Sequence, residues 1–247
     1  MLGLGQGERP WKWMAAGKHR CARDFLRIGG DFPLAQGFSR WVEKGYRDGP
    51  GDTVETGISW RFWARGGGSG RLSYGLITDS ADSLGRPHPL LVMAEGALPG
   101  WEERWETLPL LLDPRWAGVQ AALEAGSLVE LEALLVGAQW CPSEVADPSL
   151  HEEEGGPHSA GGAALVEAAC ATNDAVISMA CDPYEVPLGR ALRQSHAVLK
   201  EKRGAPPAVV LAGGVPDRPE IVFFYRPLAA ADFGMLWWGK GGGKDRK

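Results

Sequence analysis

Residues 57–78 read GISWRFWARGGGSGRLSYGLIT, and this stretch decides the fold. In its first run, one face carries four apolar side chains, namely Ile58, Trp60, Phe62 and Ala64. Its second run alternates in the same way at Leu72, Tyr74 and Leu76. Alternation with a period of two is typical of β-strands, and a short glycine-rich loop joins the two runs. The stretch therefore predicts an antiparallel β-hairpin.

Other segments on both sides of this hairpin show helix or strand patterns. Further strands are predicted at Pro89–Glu95, Asp174–Ala180, Ala208–Leu211 and Ile221–Arg226. Helices are predicted at Leu34–Tyr46, Gly100–Leu112, Trp116–Val136, Leu188–Lys200 and Pro227–Leu236, with Pro109 and Pro114 punctuating the second. The order of these elements predicts a single α+β domain over residues 1–247, with a mainly antiparallel central sheet flanked by helices. We expect early and late strands to share that sheet.

Two segments and the cysteines fall outside this pattern. Residues 142–162 contain Glu152–Glu154 and several glycines, which predicts a long acidic loop. The end of the chain, 239–247, is rich in glycine and lysine and is predicted to be a mobile basic tail. Four scattered cysteines, Cys21, Cys141, Cys170 and Cys181, show no CxxC spacing and are expected to be reduced.

Charge and hydropathy exclude several classes of protein. With 31 acidic against 26 basic residues, the net charge of −5 argues against a nucleic-acid-binding protein. No apolar run approaches the roughly 18 residues that a membrane span needs. The first residues lack a charged region followed by an apolar one, so no secretory signal is expected. These features predict a cytoplasmic protein, and they leave its oligomeric state open.

The segment 78–90, TDSADSLGRPHPL, holds the most suggestive polar residues. Ser80, Asp82 and His88 invite the hypothesis of a small hydrolase, although the chain has no GxSxG nucleophile motif. The alternative is a polar turn in which Asp and Ser side chains bind backbone amides. In that turn Asp82 and Arg86 would bracket Gly85 and lock it by a charge-assisted hydrogen bond. Arg86 could instead face an acidic or phosphorylated group of a partner.

No other pattern predicts a cofactor or a metal ion. The glycine tract 66–70 lies between two strands rather than before a helix, so it lacks the helix N-terminus that binds phosphate. Asp79 and Asp82 are too few oxygen ligands for a divalent cation. His19 and His196 stand apart, and no partner for His196 is apparent.

The order of the motifs resembles the TagF (ImpM) family of proteins encoded with bacterial type VI secretion systems. The matching residues are Gly17-Lys18 and Asp24-Phe25, Trp41, Trp60-Arg61-Phe62, the segment residues Ser80, Asp82, Gly85, Arg86, Pro89 and Leu90, and Met235-Leu236-Trp237-Trp238. Departures from the family pattern occur at His19-Arg20, Arg23, Thr78-Asp79 and Pro87-His88. The resemblance spans roughly residues 13–238.

This resemblance implies a non-enzymatic cytoplasmic protein that regulates type VI secretion negatively and after translation. Its expected partners are type VI secretion components, among them a forkhead-associated scaffold protein, and it would need no cofactor. The candidate binding residues are Lys18, Asp24, Phe25, Trp60, Arg61, Ser80, Asp82, Gly85, Arg86, Trp237 and Trp238. Two alternatives remain open: the small hydrolase using Ser80, Asp82 and His88, and a structural component of the secretion machinery.

Overall fold

A computed structural model describes residues 11–50, 57–138, 140–142, 174–182, 184 and 186–239. Its strands are β1 (Lys12–Gly17), β2 (Leu26–Gly29), β3 (Ser59–Arg65), β4 (Arg71–Thr78), β5 (Leu90–Ala97), β6 (Val176–Ala180), β7 (Val209–Val215) and β8 (Arg218–Phe224). Its helices are α1 (Pro33–Arg47), α2 (Leu108–Ala122), α3 (Leu128–Gly137), α4 (Leu188–Arg203) and α5 (Ala230–Trp238), with a short 3-10 helix at Glu102–Thr107.

All eight strands form one antiparallel sheet in the order β2-β1-β5-β4-β3-β7-β8-β6. The hairpin predicted over 57–78 is confirmed: β3 and β4 pair from Ser59–Thr78 to Arg65–Leu72. The single-domain α+β fold with a sheet flanked by helices is confirmed as well.

Helices cover both faces of the sheet. On one face α1 and α5 pack over Trp60 and Phe62, and on the other α2, α3 and α4 pack over Trp63. The neighbouring residues Phe62 and Trp63 are 1% and 0% exposed, although they point to opposite faces. A strand that is buried on both sides gains apolar burial from both rows of side chains, which explains the consecutive apolar residues Phe62, Trp63 and Ala64 in β3.

One seam joins the early and late parts of the sheet. Strands β1 to β5 come from residues 12–97, and β6 to β8 come from residues 176–224. Among the strands of the described residues, the two groups are hydrogen-bonded to each other only where β3 pairs with β7, from Ser59–Gly214 to Ala64–Val209. The prediction that early and late strands share a sheet is therefore confirmed.

Helix α1 shows why its sequence is helical and where it packs. Pro33 occupies the first turn, where its missing N–H costs nothing. Ala35, Phe38, Val42 and Gly45 recur at helical spacing and are all buried. The helix packs against α5, and Gly45 lies so close to the Phe233 ring that a β-carbon would overlap it.

Two details of the predicted secondary structure were wrong. Pro114 does not interrupt a helix but lies inside α2, and the break comes later, at 123–127. There Ser127 caps α3 by accepting from the Glu130 amide at 3.2 Å. The N-terminal hairpin of β1 and β2 was not predicted, because KWMAAG lacks an alternating pattern and β2 spans only four residues.

Several predictions lie wholly or largely outside the described residues. They are the acidic loop beyond residue 142, the tail beyond residue 239 and the state of Cys170. Cys21, Cys141 and Cys181 are free thiols. Within the described ranges, no helix has both the length and the apolar character to cross a membrane.

Candidate functional site

The ends of three strands bring two distant loops together. Gly17 at the end of β1 pairs with Leu90 at the start of β5, and Leu90 also pairs with Thr78 at the end of β4. The chain that leaves β1 (18–25) therefore lies beside the chain that connects β4 to β5 (79–89). These two loops contain seven of the predicted binding residues: Lys18, Asp24, Phe25, Ser80, Asp82, Gly85 and Arg86.

Asp82 is the centre of this site. It is 3% exposed, and its Oδ2 lies 3.1 Å from Lys18 Nζ and 2.7 Å from Arg86 Nε. Its Oδ1 accepts hydrogen bonds of 3.0 Å from the backbone amides of Leu84 and Arg86. The predicted Asp82–Arg86 hydrogen bond is thus confirmed, and Lys18 adds a second positive charge from the other loop.

This environment keeps Asp82 ionised. Burial alone would favour the neutral acid, but donors from the Arg86 backbone, Lys18 and the Arg86 side chain outweigh it and hold the pKa well below the usual carboxyl range. A buried carboxylate is tolerated because four donors replace its water shell. Asp82 is therefore a fixed negative charge and does not exchange protons near neutral pH.

Further bonds fix the shape of both loops. Gly85 has a φ of +76°, a conformation that favours glycine, and its amide donates to the Asp82 carbonyl at 2.9 Å. The Ser83 amide donates to the Ala22 carbonyl at 2.8 Å. Arg86 Nη2 donates to the Arg23 carbonyl at 2.6 Å. Each loop therefore holds the other in place.

Aromatic side chains continue the site towards α1 and α5. Lys18 Nζ lies 5.4 Å from the centre of the Phe25 ring. The His88 ring contacts Phe25 and Tyr46, with ring centres 4.5 and 5.0 Å away. Tyr46 in turn lies 5.6 Å from Trp238, so the two loops and the end of α5 form one continuous region.

The hydrolase hypothesis requires the His88 imidazole to reach the Ser80 hydroxyl. The hydrogen bonds of His88 go to backbone carbonyls instead. His88 Nδ1 donates to the Pro89 carbonyl at 2.8 Å, and the His88 amide donates to the Ser80 carbonyl at 2.9 Å. Asp82 is bound to Lys18 and Arg86 instead of to the imidazole. Burial lowers the pKa of His88. Across the described part of the chain, no side-chain hydrogen bond links Ser80, Asp82 and His88 to one another.

Three of the other predicted binding residues lie away from these loops. Trp60 and Trp237 are buried in the core beside α1 and α5, at 3% and 4% exposed. Arg61 lies on the opposite face, where it binds Asp113 at 2.8 Å and its guanidinium lies over Trp116. Arg61 lines a cavity of about 320 Å³ between β3 and α2. Trp238, the remaining predicted binding residue, does contact the site, through Tyr46.

Both isolated histidines have partners, contrary to the sequence-based expectation. His196 is wholly buried, accepts from Trp63 Nε1 at 3.0 Å and donates from Nδ1 to the Leu192 carbonyl at 2.7 Å. Burial lowers its pKa to about 3, so the ring is neutral. His19 Nε2 donates to the Leu123 carbonyl at 2.9 Å, and Cys21 Sγ lies 2.7 Å from Nδ1.

Sequence reasoning missed three residues of the site. Tyr46 joins His88 to Trp238, Leu84 stands at the tip of the Asp82–Arg86 turn, and Arg23 supplies the carbonyl that holds Arg86. The sequence signal for Leu84 was an apolar side chain between Ser83 and Gly85, because tight turns usually carry polar residues.

Among the described residues, no three His, Cys, Asp or Glu side chains are grouped for a metal ion.

Comparisons with known proteins support the architecture. No family model matches the chain. No curated protein matches it either. The crystal structure of PA0076 from Pseudomonas aeruginosa PAO1 is similar, with a TM-score of 0.52 and 16% sequence identity. The alignment covers 93% of this chain and 95% of PA0076. At this identity the likeness concerns the fold, and it extends over nearly the whole length of both chains.

Proposed function

We propose that this chain is a TagF-type accessory protein of a bacterial type VI secretion system. In this proposal it is a non-enzymatic, cytoplasmic protein that regulates secretion negatively and after translation. It acts by binding a protein partner, a forkhead-associated scaffold. The resemblance of the sequence motifs to the TagF family is the starting point of the proposal.

The observation that carries the proposal is the meeting of two motif segments at Asp82. Lys18 comes from the first motif and Arg86 from the central one, and both bind the same carboxylate. Three charged side chains that are fixed in this way build a rigid loop pair whose outer surface stays exposed. Such a surface suits recognition of a protein, and the fold shared with PA0076 is compatible with it.

Direct binding tests the proposal. We would titrate the purified full-length chain with the purified forkhead-associated scaffold from the same secretion gene cluster, using calorimetry. We expect saturable binding with a Kd of about 1 μM or tighter, which corresponds to about −8 kcal/mol. A scaffold from an unrelated secretion cluster is the control. If neither heat nor co-elution appears at about a hundred times that concentration, the assignment to this partner is wrong.

The alternative of a structural secretion component makes a different prediction. A structural component would co-sediment with the assembled machinery, whereas a regulator would remain with soluble signalling proteins. Deleting the gene also separates the two, because losing a negative regulator raises the amount of secreted substrate, while losing a structural part abolishes it. Restoration by the wild-type gene is the control in both cases.

A further inference from the structure

Two large apolar side chains protrude from the site. Phe25 is 55% exposed and Leu84 is 60% exposed, whereas most large apolar side chains of the described chain are buried. They stand on the two loops that Arg86 and the Ser83–Ala22 hydrogen bond hold together. We call these two residues, with Arg23, Asp24 and Arg86 around them, the Phe25–Leu84 surface.

The Phe25–Leu84 surface is preorganised. The backbone of Leu84 is fixed by its bond to the buried Asp82 and by the Gly85 turn. The edge-on contact with His88 and the nearby ammonium of Lys18 restrain the Phe25 ring. A partner that binds such side chains loses little of its binding energy to ordering them, and exposed aromatic anchors often dominate protein interfaces.

The charge around these anchors is locally positive. The surface and the layer beneath it hold three cations, Lys18, Arg23 and Arg86, against two carboxylates. Asp82 is buried between Lys18 and Arg86, and Asp24 is exposed. The Arg86 side chain is half exposed. Within the described residues, no carboxylate lies within 4 Å of the Arg23 guanidinium. The patch has an excess of one positive charge, which is opposite in sign to the net charge of −5 of the whole chain.

We propose that the Phe25–Leu84 surface binds an acidic protein segment. An apolar side chain of that segment would pack between Phe25 and Leu84, and its carboxylates would face Arg23 and Arg86. The planar fork of Arg23 suits bidentate contact with a carboxylate, whereas Arg86 already donates from Nε to Asp82 and from Nη2 to the Arg23 carbonyl and would add charge. An anionic lipid surface fits less well, since lipid-binding patches carry about four to eight basic residues and here Asp24 lies within the patch. This inference rests on the proposed protein-binding function and names the chemistry of the partner.

A defined peptide tests the charge and apolar requirements. The probe is an eight-residue peptide of glutamate and aspartate around a central leucine, and its counterpart carries lysine at every acidic position. Added to the full-length ¹⁵N-labelled chain, the acidic peptide should shift amide signals of 23–27 and 83–88, with a Kd near 1 mM or tighter. Equal shifts with both peptides, or none with either, would overturn the inference.

Matched variants locate the binding. Arg23→Glu should weaken binding of the acidic peptide about tenfold or more, while Lys12→Glu, an equal charge reversal at an exposed position of β1, should not. Phe25→Ala and Leu84→Ala should each weaken it severalfold, whereas Val129→Ala, which shortens an exposed side chain elsewhere, should leave it unchanged. All five positions are exposed, so circular dichroism should show wild-type folding. Equal effects of the paired variants would contradict the proposal.

Two further binding experiments, with lipid vesicles and with the scaffold protein, distinguish failure of this inference from failure of the proposed function. Binding to phosphatidylserine vesicles that depends on Arg23, without binding of the acidic peptide, would assign the surface to lipid and overturn the inference. If the scaffold binds Arg23→Glu and Phe25→Ala as well as wild type, the proposed function stands and this surface is not its site. If the acidic peptide binds at the surface but the scaffold does not bind the chain, the surface inference stands and the proposed partner is wrong.

Discussion

Lys18 and Asp82 form an ion pair of 3.1 Å in which their side chains are only 10% and 0% exposed. One residue follows β1 and the other lies between β4 and β5, so the pair ties together two loops that the sheet has brought side by side. Because Arg86 shares the same carboxylate, removing that single charge would leave two cations without their common partner.

Asp82→Asn should therefore destabilise the protein and loosen the loop pair. The amide oxygen of asparagine can accept some of the hydrogen bonds that the Asp82 carboxylate accepts, but the amide carries no charge to pair with Lys18 and Arg86. We expect a lower midpoint of thermal unfolding and faster amide exchange over 82–88. Asp24→Asn is the control, because the Asp24 side chain is 75% exposed, and its midpoint should stay close to wild type. An unchanged midpoint in Asp82→Asn would mean that the carboxylate is dispensable.

The effect of Asp82→Asn should depend on pH. The folded pKa of Asp82 is lowered, so its contribution to stability is complete above the ordinary carboxyl pKa of about 3.9 and declines as the pH falls below it. Unfolding midpoints of wild type and variant should thus differ most above about pH 5 and converge in acid. A difference that grew in acid would contradict the direction of the pKa shift.

His196 should make the protein less stable as the solution becomes mildly acidic. Its folded pKa is lowered to about 3, whereas an unfolded histidine titrates near 6.5. The unfolded state therefore binds a proton first, and stability falls between about pH 6.5 and 3 by up to about 1.4 kcal/mol per pH unit. The measurement is the free energy of unfolding by urea at several pH values.

His196→Gln provides the comparison for this pH dependence. Glutamine offers a donor and an acceptor but does not titrate, so the variant should show a shallower slope below pH 6.5. The pKa of His88 is also lowered, so it contributes in the same direction in both proteins and cancels in the difference. Parallel slopes in the two proteins would mean that His196 is not the source.

Gly45 and Gly37 on α1 should respond oppositely to alanine. At Gly45 a β-carbon would overlap the Phe233 ring of α5, so Gly45→Ala should destabilise the protein by about 1–3 kcal/mol. At Gly37 nothing lies within 4 Å of the new methyl group, and Gly37→Ala should stabilise the helix by about 0.5–1 kcal/mol. Urea unfolding measures both. Effects of the same sign would contradict the close packing of α1 on α5.

Alkylation should distinguish two of the cysteines. Burial and the nearby charge of Glu220 raise the pKa of Cys181 to about 11, so little thiolate exists near pH 8. Cys141 is exposed and should react first with iodoacetamide. The rate at Cys181, followed by mass spectrometry of the native protein, should rise about tenfold per pH unit between pH 8 and 10. A plateau below pH 10 would contradict the raised pKa.

The sequence predicted those parts of the fold that depend on local patterns. Alternation around Trp60 and Tyr74 with a glycine loop between them is sufficient for a hairpin, and the spacing of Asp82, Gly85 and Arg86 is sufficient for a locked turn. The Lys18–Asp82 pair could not be predicted in this way, because it depends on the register that sets Gly17 beside Leu90. The Trp63–His196 bond likewise depends on how α4 packs on the sheet.

The seam between β3 and β7 has a consequence for synthesis of the chain on the ribosome. Until residues 209–215 emerge, β3 is an edge strand, and its unpaired backbone groups lie beside the aromatic side chains of Trp60, Phe62 and Trp63. Exposed apolar edges of this kind promote intermolecular pairing, and contacts between distant residues form slowly. A nascent chain that stalls before β7 would therefore be prone to aggregate, although most of the sheet's strands have already been made.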